Sequence, residues 1–125
     1  MIHLDTHATI WLHDGDLERF PLTLRDRLNR SIPMISPMVR LELMLLHEVG
    51  RLRSHPLELL ASLEARIDLR VAESSFTRVI AIAGTLTWTR DPFDRMIAAH
   101  ALADDVPLVT KDATMLANCL VARWN

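Results

Sequence analysis

The chain has 125 residues, half of them apolar, and a formal net charge of −2. That length is one ordinary domain with room for a hydrophobic core, and no apolar run approaches the roughly 20 residues that cross a bilayer. The charge balance argues against a protein that coats nucleic acid nonspecifically, and the single cysteine, Cys119, leaves neither an internal disulfide nor a cysteine-based zinc cluster.

In chain order, Ile2 to Asp5 reads as a short strand, and Thr6 to His13, with Ala8, Trp11 and Leu12 at helical spacing, as the helix after it. Residues 17 to 30 set Leu17, Phe20, Leu24 and Leu28 on one helical face, with Pro21 either an interruption or a fresh first turn. Ser31 to Ile35 is a compact strand. Ser36-Pro37 then opens a helix, a hydroxyl N-cap followed by proline at N1, that runs to Gly50 as its stop. Pro56 to Arg66 is an amphipathic helix, and Ile67 to Val71, short and β-branched, predicts a strand. Phe76, Val79, Ile80, Ile82 and Ala83 describe a helix closing near Gly84, and a loop leads to Arg90. Asp91-Pro92 opens a helix ending around Asp104-Asp105. Val106 to Thr110 is a buried strand, Asp112 to Asn118 a short helix or turn, and Cys119 to Trp124 a last strand.

Strands alternating with helices predict a single α/β domain over residues 1 to 125, a parallel sheet with helices on both faces, because parallel strands need crossover connections. Ligand sites in such sheets lie beyond the carboxyl ends of the strands, where Asp5 and Asp112 fall. The N-terminal segment has the pattern of a strand rather than a signal peptide, which together with the lone cysteine predicts a cytoplasmic location. Cys119 sits in an apolar segment and predicts packing rather than chemistry.

Four acids carry the functional signal. Glu42 has Met38, Val39, Leu45, Leu46 and Val49 at three, four and seven residues, so its charge stands in an apolar stripe where it must find a partner, and an arginine is the structural alternative to a ligand. Asp91 and Asp94 flank Pro92: Asp91 predicts an N-cap, while Asp94 shares its helix face with Ile97, Ala98 and Ala101 and points inward. Asp5 and Asp112 each suit a helix cap or turn taken singly. Jointly, carboxylates from four distant segments aimed at one point make a site for a hard divalent cation. The histidines lack zinc-site spacing, since His7 and His13 are six apart and His47, His55 and His100 stand alone. No glycine-rich phosphate loop and no nucleophile elbow is present.

Four segments, Leu4-Asp5-Thr6-His7, Ile35-Ser36-Pro37 with Leu41-Glu42-Leu43, Arg90 through Ala101, and Leu108-Val109-Thr110-Lys111-Asp112, resemble in order and spacing the PIN-domain ribonucleases of the VapC toxin type. The resemblance spans nearly the whole chain, and Asp-Pro-Phe-Asp-Arg followed by an alanine-rich helix is its most specific part. It implies a three-layer α/β/α sandwich, an acidic cluster binding Mg²⁺ or Mn²⁺, and endonucleolytic cleavage of RNA. By position Asp5, Glu42 and Asp94 match the three principal acids, Asp112 the more variable fourth, and Thr110 the hydroxyl that accompanies it. A cognate antitoxin and a homodimer are implied as protein partners, and the surplus of Leu and Met over residues 38 to 60 suits an interface. Arg90, Arg95 and Lys111, the only lysine, adjoin the acids in sequence and are candidates to orient the scissile phosphate.

Three rival readings differ in chemistry. A catalytically inactive PIN module would bind RNA or assemble without cutting, and a nuclease for DNA would use the same metal chemistry. A receiver-like phosphoacceptor domain has the length and fold class, but it needs an aspartate ending a central strand, and the middle of this chain offers only Asp68 at the start of one.

Overall fold

In the computed structural model, which describes residues 1 to 125, β1 (Ile2–Leu4) is the central strand of a five-stranded, wholly parallel sheet in the order β3-β2-β1-β4-β5. The other strands are β2 (Pro33–Ile35), β3 (Arg70–Val71), β4 (Leu108–Val109) and β5 (Ala122–Arg123). Between them run α1 (Thr6–Asp14), a 3₁₀ turn at Leu17–Arg19, α2 (Leu22–Asn29), α3 (Pro37–Glu48), α4 (Pro56–Ile67), α5 (Phe76–Ala83), α6 (Pro92–Asp104) and α7 (Ala113–Asn118). The helices cover both faces of the sheet and complete a three-layer α/β/α sandwich, as a wholly parallel sheet requires. The order differs from the 2-1-3-4-5 arrangement of receiver-like folds, which removes that reading.

Successive strands step one way from β1 through β2 to β3, and then β4 and β5 lie on the other side of β1. The direction of winding therefore reverses between β1 and β4, whose registers pair His3 with Leu108 and Leu4 with Val109. A crevice opens at the carboxyl ends of two strands that part in this way.

The core explains why short strands suffice. Ile2, Leu4, Ile35, Leu108 and Val109 are fully buried, as are Leu24, Val39, Leu43 and Leu59 from the helices above them. Helix α6 is buried from Met96 through Ala101, and its Ala98, Ala99, Ala101 and Ala103 let neighbouring backbones approach. Helix α5 packs on it through Val79 and Ala83. Cys119 is buried and free, a packing residue.

His3 faces α6 from the middle of β1. It is fully buried, and its Nε2 lies 2.7 Å from Oδ2 of Asp104, whose Oδ1 accepts a hydrogen bond from the Ser74 hydroxyl. One turn earlier on α6, His100 stacks on His3 at 6.5 Å between ring centroids, and the Ser36 hydroxyl lies 2.7 Å from Nδ1 of His100. His3 carries no signal in the sequence, because a lone polar residue in a short strand has no periodicity to stand out from.

Several predicted boundaries move for identifiable reasons. Pro21 does not interrupt a long helix but caps a new one, α2. The predicted strand from Ile67 to Val71 shrinks to Arg70–Val71: Ile67 closes α4, and Asp68 adopts the left-handed conformation (φ 56°), which turns the chain before the sheet resumes. Asp105, at φ 52°, does the same after α6, delaying β4 to Leu108. Cys119 ends α7 rather than starting β5. Ser36 and Asp91 are the N-caps predicted, each followed by proline in the first turn. No helix is long and apolar enough to cross a membrane.

Candidate active site

Where β1 and β4 part, their ends deliver two carboxylates. Asp5, immediately after β1, caps α1 by accepting at Oδ1 from the Ala8 amide at 2.8 Å. Asp112, three residues beyond β4, caps α7 in the same way, with Oδ1 2.8 Å from the Met115 amide. Both residues are thus caps, and both also line one crevice of about 230 Å³ with Thr6, His7, Glu42, Asp91, Asp94, Ile97 and Met115. Capping and ligation are compatible because a carboxylate has two oxygens.

Helices α3 and α6 supply the remaining acids. Glu42 lies one and a half turns into α3 and meets the hydroxyl of Thr6, which donates to its Oε1. The apolar stripe around Glu42 has two sides: Val39 and Leu43 are buried, while Leu41, Leu45 and Val49 are 48%, 40% and 68% exposed. Glu42 therefore stands at the edge of the core, on the wall of the crevice, and no arginine pairs with it. Asp91 caps α6, its Oδ1 accepting from the amides of Phe93 and Asp94 at 2.8 and 3.2 Å, and it lines the crevice as well.

Five carboxylates thus share one wall that no lysine or arginine lines. The ion pairs of the chain are Arg19 with Asp16 and Arg70 with Asp68, and histidine meets carboxylate at His3 with Asp104 and His13 with Asp14, none of them in the crevice. The energetic mark of this falls on Asp94. Burial, and then the charges of Asp91, Asp112, Glu42 and Asp5, push its carboxyl up to about 7. Burial also raises the Asp5 carboxyl, against hydrogen bonds from Thr110 and Ala8 and the nearby charge of His7, with Asp112 adding to the rise.

Thr110 stands behind the carboxylates rather than before them. It is fully buried, its hydroxyl accepts from the Asp112 amide at 3.0 Å, and it also bonds Asp5. Thr110, which the resemblance also marks as a candidate substrate contact, is reached here from behind the acids. Thr6, also buried, plays the matching part for Glu42 and was not singled out from the sequence, although its place next to Asp5 in the first turn of α1 was the available signal. Arg95 is committed to the Thr89 carbonyl at 2.8 Å, Arg90 is exposed in the loop before α6, and neither lines the crevice. Lys111 is exposed beside Asp112.

An all-oxygen, carboxylate-rich wall is the donor set of a hard divalent cation such as Mg²⁺ or Mn²⁺. No three of these side chains converge on one point, so the residues fit such an ion in the chemistry of their donors rather than as an assembled ligand set.

The family model of the PIN domain matches residues 2–118. The chain belongs to the PIN domain family. Among solved structures, the VapBC2 complex of Rickettsia felis bound to a DNA fragment from its promoter is similar over 100% of both chains, with a TM-score of 0.71 and 18% identity. The DNA-bound VapBC of Salmonella typhimurium is similar over 98% of this chain and 94% of that one, with a TM-score of 0.63 and 21% identity. No curated protein matches the chain in sequence. At these identities the two structures establish the shared fold.

Proposed function

We propose that the protein is a divalent-metal-dependent endoribonuclease and the toxin of a toxin–antitoxin pair. One observation carries the reading: five carboxylates from four separate segments line a single crevice that no lysine or arginine lines, and burial together with the neighbouring charges pushes the Asp94 carboxyl up to about 7. A fold does not keep such a repulsive arrangement for stability, because unpaired charges raise the free energy of the folded state.

Asp5 and Asp94 are assigned to hold a Mg²⁺ or Mn²⁺ ion, with Asp112 as an outer ligand and Glu42 as ligand or general base. When bound, the ion supplies an activated water and offsets charge at the phosphorus. Glu42, oriented by Thr6, takes the proton from the attacking water. Thr110 fixes Asp5 and the backbone of Asp112. Lys111, with Arg90 and Arg95 at longer range, offers positive charge to the RNA backbone.

The antitoxin assignment rests on family membership and on the two VapBC complexes that share the fold. The exposed row Leu41, Leu45 and Val49 along α3 is an apolar surface suited to burial in a homodimer. Titration calorimetry with Mn²⁺ and cleavage of single-stranded RNA by the native and Asp94→Asn proteins test the proposal. Expected are binding and cutting by the first and no cutting by the second; unchanged cleavage by Asp94→Asn overturns the site.

A further inference from the structure

A second cavity, of about 360 Å³, adjoins the crevice and is lined by Asp5, His7, Trp11, Lys111 and Asp112. Asp5, His7 and Asp112 line both cavities, so the two are contiguous. Their linings differ in kind. The crevice is acidic, whereas its neighbour brings together the only lysine of the chain and two aromatic rings.

The rings form a wall with a fixed and a free member. Trp11 is half-buried and seated by edge contacts with Phe20 and Trp124, at 6.3 and 5.9 Å between centroids, with the Arg19 guanidinium 5.0 Å from its centroid. His7 is exposed and leans on Trp11 at 5.9 Å with the ring planes 46° apart. A rigid aromatic anchor beside a flat, solvent-facing imidazole and an unpaired ammonium is the equipment of a site for a nucleotide, since an aromatic ring stacks on any base and a cation tracks the phosphate.

We infer that this cavity is a nucleotide subsite, resting on the proposed nuclease reading: while the scissile phosphate lies in the acidic crevice, the adjoining nucleotide sets its unpaired base against His7 and Trp11 and its phosphate on Lys111. The volume falls within the roughly 300 to 1,000 Å³ of small-molecule sites. The local charge agrees. Lys111 is the cation that lines the cavity beside the acidic wall, so the strand gains attraction where it leaves the metal site. Stacking reads the presence of a base rather than its identity.

The test uses the Asp94→Asn protein in Mg²⁺ and a fluorescent single-stranded oligoribonucleotide in which one abasic position is walked along the strand. Removing the base at one position is expected to weaken binding about tenfold, and His7→Ala to weaken binding of the intact strand by a similar factor. The two losses should not multiply, because both remove one contact. His7 is exposed, so its truncation leaves the core untouched. Lys111→Met should weaken binding to all strands alike and lower the slope of log K against log salt by about one unit.

Losses that multiply, or an affinity indifferent to His7 at every abasic position, overturn the subsite. The nuclease reading fails separately: native protein with Mn²⁺ that cuts no RNA, while the coupling between His7 and one base persists, would leave the subsite standing and remove the catalysis.

Discussion

The imidazole of His3, fully buried at the centre of the sheet, is bound through Nε2 to the Asp104 carboxylate at 2.7 Å, tying the first strand to the last turn of α6. Burial lowers the His3 pKa against the pull of Asp104, while hydrogen bonds from Ser74 and His3 bring Asp104 below the ordinary carboxylate range in spite of its own partial burial. The pair is therefore a neutral imidazole donating to a carboxylate. Asp104→Ala leaves the buried Nε2–H without a partner, and its Nδ1 already lacks one. A loss of about 1 to 3 kcal/mol in urea unfolding is expected, and an unchanged midpoint would show that the bond contributes nothing. Because the folded pKa of His3 lies below its ordinary value of 6.5, its contribution to stability declines as pH falls below 6.5.

Asp94 has the opposite sign. Its carboxyl holds a proton more tightly in the folded chain, about 7 against the ordinary 3.8, so its ionisation destabilises the metal-free protein fully above pH 7 and not at all well below 3.8. In EDTA, Asp94→Asn is expected to raise the melting temperature at pH 8, with the advantage shrinking as pH falls from 7 toward 4. Mg²⁺ binding should release protons below pH 7, measurable in buffers of different ionisation enthalpy. A constant advantage from pH 8 to pH 4 would contradict the repulsion described for the crevice.

Glu42→Gln keeps an oxygen for the Thr6 hydroxyl while removing one of the crowded charges. The variant should be at least as stable as the native protein in EDTA and should not cut RNA. A clear drop in melting temperature would mean that the Glu42 charge supports the fold.

Thr6→Val and Thr110→Val test the groups behind the acids. Each removes a hydroxyl from a buried site that orients a carboxylate. A fall of about 10- to 100-fold in kcat or metal affinity is expected, the range for groups that support metal ligands. Full activity in both would place the burden of orientation elsewhere.

Asp5→Asn and Asp5→Ala separate the two duties of one residue. Asparagine caps a helix about as well as aspartate, so Asp5→Asn should keep the fold and lose cleavage, whereas Asp5→Ala should also lose about 1 kcal/mol of stability with the Ala8 bond. Equal stability of the two variants would mean that the cap is dispensable.

Residues that punctuate the chain were legible in the sequence, and residues that face across it were less so. Ser36-Pro37 and Asp91-Pro92 announce helix starts because a hydroxyl or carboxylate cap and a pre-set φ act within three residues. The inward aim of Asp94 could be read from its helical companions Ile97, Ala98 and Ala101. The left-handed turns at Asp68 and Asp105 could not, since aspartate enters that conformation without requiring it, and each shortened the strand predicted after it. Periodicity also places Leu45 and Val49 in an apolar stripe when they are exposed, because such a stripe says that a face is to be covered and not by what. The role of His3 emerges only when distant segments are brought together.

Residue 3 pairs with residue 108 in neighbouring parallel strands, and the carboxylates that follow those strands are the two halves of one wall. Contacts between segments so far apart in sequence form late in folding, and during translation they await the second partner. A growing polypeptide therefore carries Asp5 and Glu42 through most of its synthesis before β4 and Asp112 follow. The five carboxylates therefore share one crevice only once residues 108 to 112 have been made.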